Sequence, residues 1–192
     1  MPDQIPDSTP RKLGPPELGP PEHRPMGGGS TDAVTMNPGI ASLGFLLGRW
    51  RGEGEGSYPT VEPFGYSEES VYWHVGGPFI GYRQRTWRRD GRPSHSESGY
   101  WRCPGPGRVE LVVAHANGTV EVSEGHVVGA ALTMTSTVMA GTSTAKEVTA
   151  ISRRLAVDGD ACDYTLDMAG VGVPLTFHLV ARLRRVARGE TV

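Results

Sequence analysis

Cysteine is nearly missing from this chain, with two in 192 residues, Cys103 and Cys162. Without paired-cysteine spacing there is no zinc knuckle, redox dithiol or disulfide framework to organise a fold. The two are expected as reduced thiols in a cytoplasmic protein. Long hydrophobic runs are missing too. No uninterrupted apolar stretch reaches the roughly 18 residues a membrane-spanning helix needs. The first residues also lack the basic-then-apolar order of a secretory signal. An excess of one charge sign is absent, the formal net charge being -2, so nothing favours nucleic acid or an anionic membrane as partner. No nucleophile elbow, Walker loop, dinucleotide fingerprint or His-Glu-x-x-His helix occurs either. Acyl transfer, nucleotide and zinc-protease chemistries therefore have no motif to rest on.

Proline and glycine, by contrast, are plentiful and unevenly placed. Half of the sixteen prolines fall within the first 25 positions. There Leu13-Gly14-Pro15-Pro16-Glu17 repeats at once as Leu18-Gly19-Pro20-Pro21-Glu22. Such a segment cannot bury enough apolar surface to offset its ordering entropy, so residues 1–36 read as a disordered tail. A tail acting as a recognition peptide is conceivable, but no flanked PxxP core supports it. Residues 37–192 then read as one domain.

Ile40, Leu43, Leu46 and Leu47 repeat at helical spacing, interrupted by Gly44 and stopped by Gly48, which predicts a short helix. From Arg49 onward the period drops to two and turn formers recur about every 8 to 15 residues. About ten strands follow, near 49–58, 66–74, 78–88, 94–102, 108–115, 119–124, 130–138, 146–155, 161–168 and 174–186. Pro63-Phe64-Gly65, Gly76-Gly77-Pro78 and Asp158-Gly159-Asp160 serve as turns, and Asn117-Gly118 predicts a type I′ hairpin. No long helix interrupts the series, so the expected fold is all-β: a ten-stranded antiparallel up-and-down β-barrel with a short N-terminal helix. An open sandwich is the alternative. A barrel of this size can hold one small ligand. Trp50, set in Gly48-Arg49-Trp50-Arg51-Gly52-Glu53-Gly54-Glu55-Gly56, is expected to plug the core while the glycines let the first strand bend.

The residues able to carry chemistry are histidines on strands: His74, His95, His115 and His178. His95 and His115 would be hairpin neighbours, either both facing one cavity or with one ring outside, and Glu97 lies on the same face as His95 to orient it. His178 is ambiguous. Strict alternation puts Phe177, Leu179, Ala181 and Leu183 on one face, and Thr176, His178, Val180 and Arg182 on the other. The first face is the more apolar and reads as core, which turns His178 toward solvent or a rim. Thr176 and Val180 would also serve as pocket walls, and a neutral imidazole is the commonest metal-binding side chain, haem iron included. Glu68 and Glu69 read as a solvated edge, and Arg153-Arg154, like Arg88-Arg89 and Arg184-Arg185, as a barrel rim.

Gly48-Arg49-Trp50-Arg51-Gly52-Glu53-Gly54 resembles the GxWxGxG signature of the nitrobindins. Tyr58-Pro59-Thr60, Pro93-Ser94-His95-Ser96-Glu97-Ser98-Gly99-Tyr100, Gly118-Thr119-Val120-Glu121-Val122 and Pro174…His178-Leu179 follow in matching order, over residues 40 to 186. The resemblance implies a ten-stranded barrel like that of fatty-acid-binding proteins, holding haem b at one end. It implies His178 as the axial iron ligand and hence the catalytic residue. It further implies Thr60 and Lys146 as haem contacts, the latter toward a propionate, and His95, His115 and Met168 in the pocket. Ser94 replaces an apolar residue usual beside the pocket His, and His115 a polar, uncharged one, so the distal side should be more polar than usual. The implied activity is isomerisation of peroxynitrite to nitrate, with reversible nitric oxide binding. A five-coordinate ferric haem would offer an anionic oxidant a vacant cationic site, while the protein supplies one ligand, an open face and a cage. The implied partners are these small molecules, and the barrel is expected as a monomer or weak homodimer. A lipocalin-like carrier of a fatty acid is the competing reading, since such carriers also begin Gly-x-Trp.

Overall fold

The structure, a computed structural model, describes residues 34–187. Most of the segment read as a tail, together with His23, lies outside the described residues. Ten antiparallel strands follow one 3₁₀ helix, Pro38–Leu46. They are β1 (Gly48–Tyr58), β2 (Val61–Trp73), β3 (Ile80–Arg88), β4 (Pro93–Arg102) and β5 (Arg108–His115). The second half comprises β6 (Thr119–Val128), β7 (Ala131–Gly141), β8 (Ala150–Asp158), β9 (Ala161–Gly170) and β10 (Val173–Arg185). Each strand pairs with its sequence neighbours, and β1 pairs with β10 to close the ring. Pairing β1 with β10 gives both end strands a partner, which is the reason a meander of this length becomes a barrel and not a sandwich. No described helix is long and apolar enough to cross a membrane.

Helix and strands meet at one end of the barrel. Ile40, Leu43 and Leu46 are fully buried, and their spacing of three suits the three residues per turn of a 3₁₀ helix. Asn37 caps that helix by accepting from Gly39 N at 2.9 Å. Below it lies Trp50, whose indole N–H donates to the Leu46 carbonyl at 2.7 Å. The Arg185 guanidinium stacks 4.1 Å from the centre of that ring and donates to the carbonyls of Phe45 and Leu47. The last strand thereby holds the helix C-terminus and the plug together. Burying each of these large apolar side chains contributes about 1.5–3 kcal/mol.

Alternation on β1 turns Trp50, Gly52, Gly54 and Gly56 inward and Glu53 and Glu55 outward. A Cβ at Gly52 would strike the backbone of Arg182 and Leu183, and at Gly54 or Gly56 the rings of Tyr66 or Phe64. The glycines therefore bring β10 close and give two aromatic rings their place inside the barrel.

Several element boundaries and turns differ from expectation. Pro63-Phe64-Gly65 is not a turn but part of β2, which pairs with β1 from Val61 onward. The β2–β3 ladder begins only at Tyr66↔Arg88, so Pro63 sits where no β3 partner asks for its missing N–H. The expected strand from 146 starts at Ala150 instead, because the β7–β8 ladder stops at Thr135↔Ser152; Lys146 consequently lies on a connecting loop. The hairpin at Asn117-Gly118 is present, but only Gly118 has positive φ, +89°. It is a longer loop whose Asn117 Oδ1 accepts from Thr119 N at 3.1 Å, not a two-residue I′ turn.

Candidate functional site

At the end away from the helix the strands splay around a cavity of about 310 Å³. Its upper walls are apolar, with Phe64, Val148, Ile151, Leu166, Met168 and Leu179. His178 is placed on this wall by an irregularity in β10. Phe177 pairs with Asp167 and Leu179 with Leu166, which leaves His178 as an extra residue in the ladder. Such a bulge breaks the two-residue alternation. It turns His178 and Leu179 both toward the cavity and leaves Phe177 44% exposed, which corrects the assignment of Phe177 to the core face.

A second irregularity lies opposite, between Gly56 and Tyr58 on β1. The β1–β10 ladder ends at Gly56↔Leu179. The Ser57 carbonyl, just beyond the ladder, meets His178 Nδ1 at 3.2 Å. Tyr58 packs edge-on against the imidazole at 5.3 Å between ring centres, and Phe64 at 6.3 Å. Burial lowers the His178 pKa, only partly opposed by the Ser57 carbonyl, so the ring is neutral at pH 7. With Nδ1–H donated to a backbone carbonyl, the Nε2 lone pair remains for a ligand bond, an arrangement typical of metal-binding histidines.

Deeper in the barrel the lining changes character. The β4–β5 register sets Glu97 directly across from His115, and His95 lies one inward position further along β4. His115 Nδ1 is 3.1 Å from Glu97 Oε2 and 3.4 Å from His95 Nε2. Its Nε2 faces Glu121 Oε2 at 3.3 Å, an ion-pair distance without the alignment of a good hydrogen bond. Arg153 reaches from β8 to Glu121 Oε2 at 2.7 Å and to Glu97 Oε1 at 3.5 Å, and Tyr82 donates to that same Oε1 at 2.7 Å.

Burial alone would raise the Glu97 pKa, but Arg153 and His115 hold it well below the usual carboxylate range. Glu121 is likewise opposed by burial yet drawn down to about 2 by Arg153 and His115. Burial would lower His115, but its bonds to Glu121 and Glu97 carry it to about 9. Two carboxylates thus face two cations, a neutral total that makes burial tolerable. Glu68, nearby, behaves differently: burial raises its pKa despite bonds from Tyr164, Gln84 and Ser70.

These positions amend several expectations. His95 and His115 do face one cavity, and Met168 and Ser94 line it. Thr60 is exposed in the β1–β2 turn and Lys146 is exposed on the loop whose Val148 lines the cavity. Glu68 and Glu69 are not a solvated edge. Glu68 points inward, and Glu69 is covered from outside by Arg49, Arg51 and Arg85. Arg153 is not a rim residue but a buried one, missed because it stood beside a second arginine. Its place between Ile151 and Leu155 in the alternation was the available signal. Glu121 went unnoticed because β6 runs inverted, with Val120 exposed and Thr119, Glu121 and Ser123 buried.

Comparison with known proteins adds the relatives. A family model described as the THAP4-like, heme-binding beta-barrel domain matches residues 39–185. The peroxynitrite isomerase of Nocardia farcinica (strain IFM 10152) is 50% identical over 158 residues, covering 80% of this chain and 94% of that protein. Peroxynitrite isomerase 2 of Mycobacterium marinum (strain ATCC BAA-535 / M) is 48% identical over 155 residues, covering 78% and 96%. The crystal structure of Rv2717c from M. tuberculosis superposes with a TM-score of 0.75 at 44% identity, over 80% of this chain and 100% of that one. Motifs, barrel and relatives agree, and the chain belongs to the THAP4-like, heme-binding β-barrel family, the nitrobindins.

Proposed function

We propose that this protein is a haem-dependent peroxynitrite isomerase that holds haem b through His178 and binds nitric oxide reversibly at the same centre. The observation that carries the reading is His178 itself. A neutral imidazole, locked at Nδ1 by the Ser57 carbonyl and clasped by Tyr58 and Phe64, lines an apolar-walled cavity and keeps its other nitrogen for a ligand. A porphyrin needs those two things from a protein, a basic nitrogen and an apolar slot. Haem bound there would supply the iron chemistry that no side chain of this barrel can offer.

The remaining roles fall to residues at the rim and floor. Thr60 and Lys146 stand exposed near the open end, where they would meet the polar edge of the cofactor. Met168 and Leu166 supply apolar wall. On the far side His95 is half-exposed to the cavity, and its Nε2 is within 3.5 Å of Glu97 Oε2. It can present a hydrogen bond to a small anion entering the cage, with Ser94 beside it. The end strands β1 and β10 pair with each other, which supports a monomer or weak homodimer. Free Cys103 and Cys162 suit a cytoplasmic location.

A fatty-acid carrier would need a buried cation with capacity to spare for the ligand carboxylate. Arg153 and His115 are cations in the cavity, and Glu97 and Glu121 already neutralise them. The lipid reading therefore lacks its anchor.

Hemin reconstitution of wild type and His178→Ala tests the assignment. Wild type should give a haem absorption spectrum and speed peroxynitrite decay with nitrate as product; the variant should lose both. Identical spectra and decay rates in the two proteins would sink His178 as the axial ligand.

A further inference from the structure

The polar floor, whose His95 also faces the proposed haem pocket, carries a second constellation. His95 Nε2, His115 Nδ1 and Glu97 Oε2 form a nearly equilateral triangle. Its edges are 3.5 Å for His95–Glu97, 3.1 Å for His115–Glu97 and 3.4 Å for His95–His115. Charge-assisted hydrogen bonds run shorter, about 2.7–2.9 Å. In a tetrahedral site with ligand bonds of about 2.0–2.1 Å, neighbouring donor atoms lie roughly 3.3–3.4 Å apart. The triangle has the dimensions of one face of that tetrahedron.

The surroundings hold the three donors in place. Tyr82 and Arg153 occupy the other carboxylate oxygen of Glu97, so Oε2 is left facing the two imidazoles. Glu121 stands behind His115 at Nε2, where an outer carboxylate commonly orients a metal-binding imidazole and fixes its tautomer. The β4–β5 pairing sets Glu97 opposite His115 on the same two strands that carry His95. Strand positions are stiffer than loop positions, which favours a defined geometry.

We propose that His95, Glu97 and His115 form a binding site for one divalent transition-metal ion of the zinc type, distinct from the His178 position. Two imidazoles and one carboxylate make a three-ligand set, and its fourth position opens to the cavity for water or a small anion. In the closed ring β5 lies five strands from β10, so this site and His178 occupy opposite walls. Haem binding at one wall and metal binding at the other can therefore be separated by mutation.

The test is Zn²⁺ alone, titrated calorimetrically into the untagged full-length chain, with bound metal counted after dialysis. Both the haem-free and the hemin-loaded protein should be measured. Wild type should bind one equivalent. His95→Ala, at a half-exposed position and with its fold checked by circular dichroism, should weaken binding by about 10–100-fold. His115→Gln should do the same, with its fold checked by circular dichroism. His178→Ala should bind zinc as wild type does. Less than a tenth of an equivalent in wild type overturns the site. So does wild-type affinity in His95→Ala, or loss of zinc binding in His178→Ala.

Discussion

Two histidine environments share one cavity and are built on opposite principles. His178 sits among apolar rings, its single polar partner a backbone carbonyl, and burial keeps it neutral. His115 sits among charges, between Glu97 and Glu121 with Arg153 alongside, and those carboxylates keep it protonated in the absence of metal. The same ring is therefore a lone-pair donor on one wall and a cation on the other. Solvent exposure does not separate them, since both rings are largely buried. What separates them is whether the neighbouring oxygens are dipoles or full charges. On the proposed reading the apolar wall would receive the cofactor, whereas the charges of the polar wall neutralise one another and contribute to holding the barrel together.

Removing the central cation should break the polar wall alone. Arg153→Met leaves Glu97 and Glu121 buried with only His115 to offset them, a loss of about 3–5 kcal/mol. Urea unfolding should show it as a lower midpoint with an unchanged slope. Adding Glu121→Gln to the same chain should recover part of the loss, because one of the stranded charges is gone. If Arg153→Met instead leaves stability intact while abolishing hemin uptake, the division of labour between the walls is wrong.

How much of this division was legible in the sequence depends on the element. Helix, strand count and closure could be read because Ile40, Leu43 and Leu46 and the recurring turn formers report local geometry. The orientation of His178 could not. A single bulged residue shifts the alternation between His178 and Leu179, and nothing in Phe177-His178-Leu179 itself signals a bulge. The charged floor was hidden for a different reason. On β6 the inward residues are Glu121 and Ser123 while Val120 faces out, so apolar character pointed to the wrong face. Alternation places Glu97 beside His95, but the inward role of Glu121 is recognisable only once Glu97, Glu121 and Arg153 are brought from three strands to one place. The Trp50 plug and the glycines after it were readable because their task is steric and belongs to one strand.

Acid sharpens the contrast. Glu121 has a folded pKa of about 2 against an ordinary 4.5, so its stabilisation is fully present above the unfolded value and is lost as pH falls through the folded one. That difference corresponds to about 3 kcal/mol, disappearing between roughly pH 5 and pH 2. Glu97 adds to the same limb, its pKa also being depressed. Glu68 acts with the opposite sign, because a raised pKa costs stability as pH climbs and is relieved in acid. Urea midpoints of the haem-free protein should therefore fall steeply below pH 5, and Glu121→Gln should flatten that fall. An equally steep fall in Glu121→Gln would move the acid sensitivity elsewhere.

The smallest effect belongs to the apolar wall and separates its two fastenings. Tyr58 donates its hydroxyl to the Gly170 carbonyl at 3.1 Å, while its ring packs against His178. The hydroxyl ties β1 to the end of β9; the ring clasps the imidazole. Tyr58→Phe removes the first and keeps the second, at about 1 kcal/mol, or a melting temperature lower by about 2–4 °C. Hemin affinity should stay within about twofold of wild type, because the rings and the Ser57 carbonyl that position His178 are untouched. A tenfold loss of hemin binding in Tyr58→Phe would mean that the strand-to-strand tie, and not the aromatic clasp, sets the imidazole. The apolar wall would then depend on a polar bond as much as the floor does.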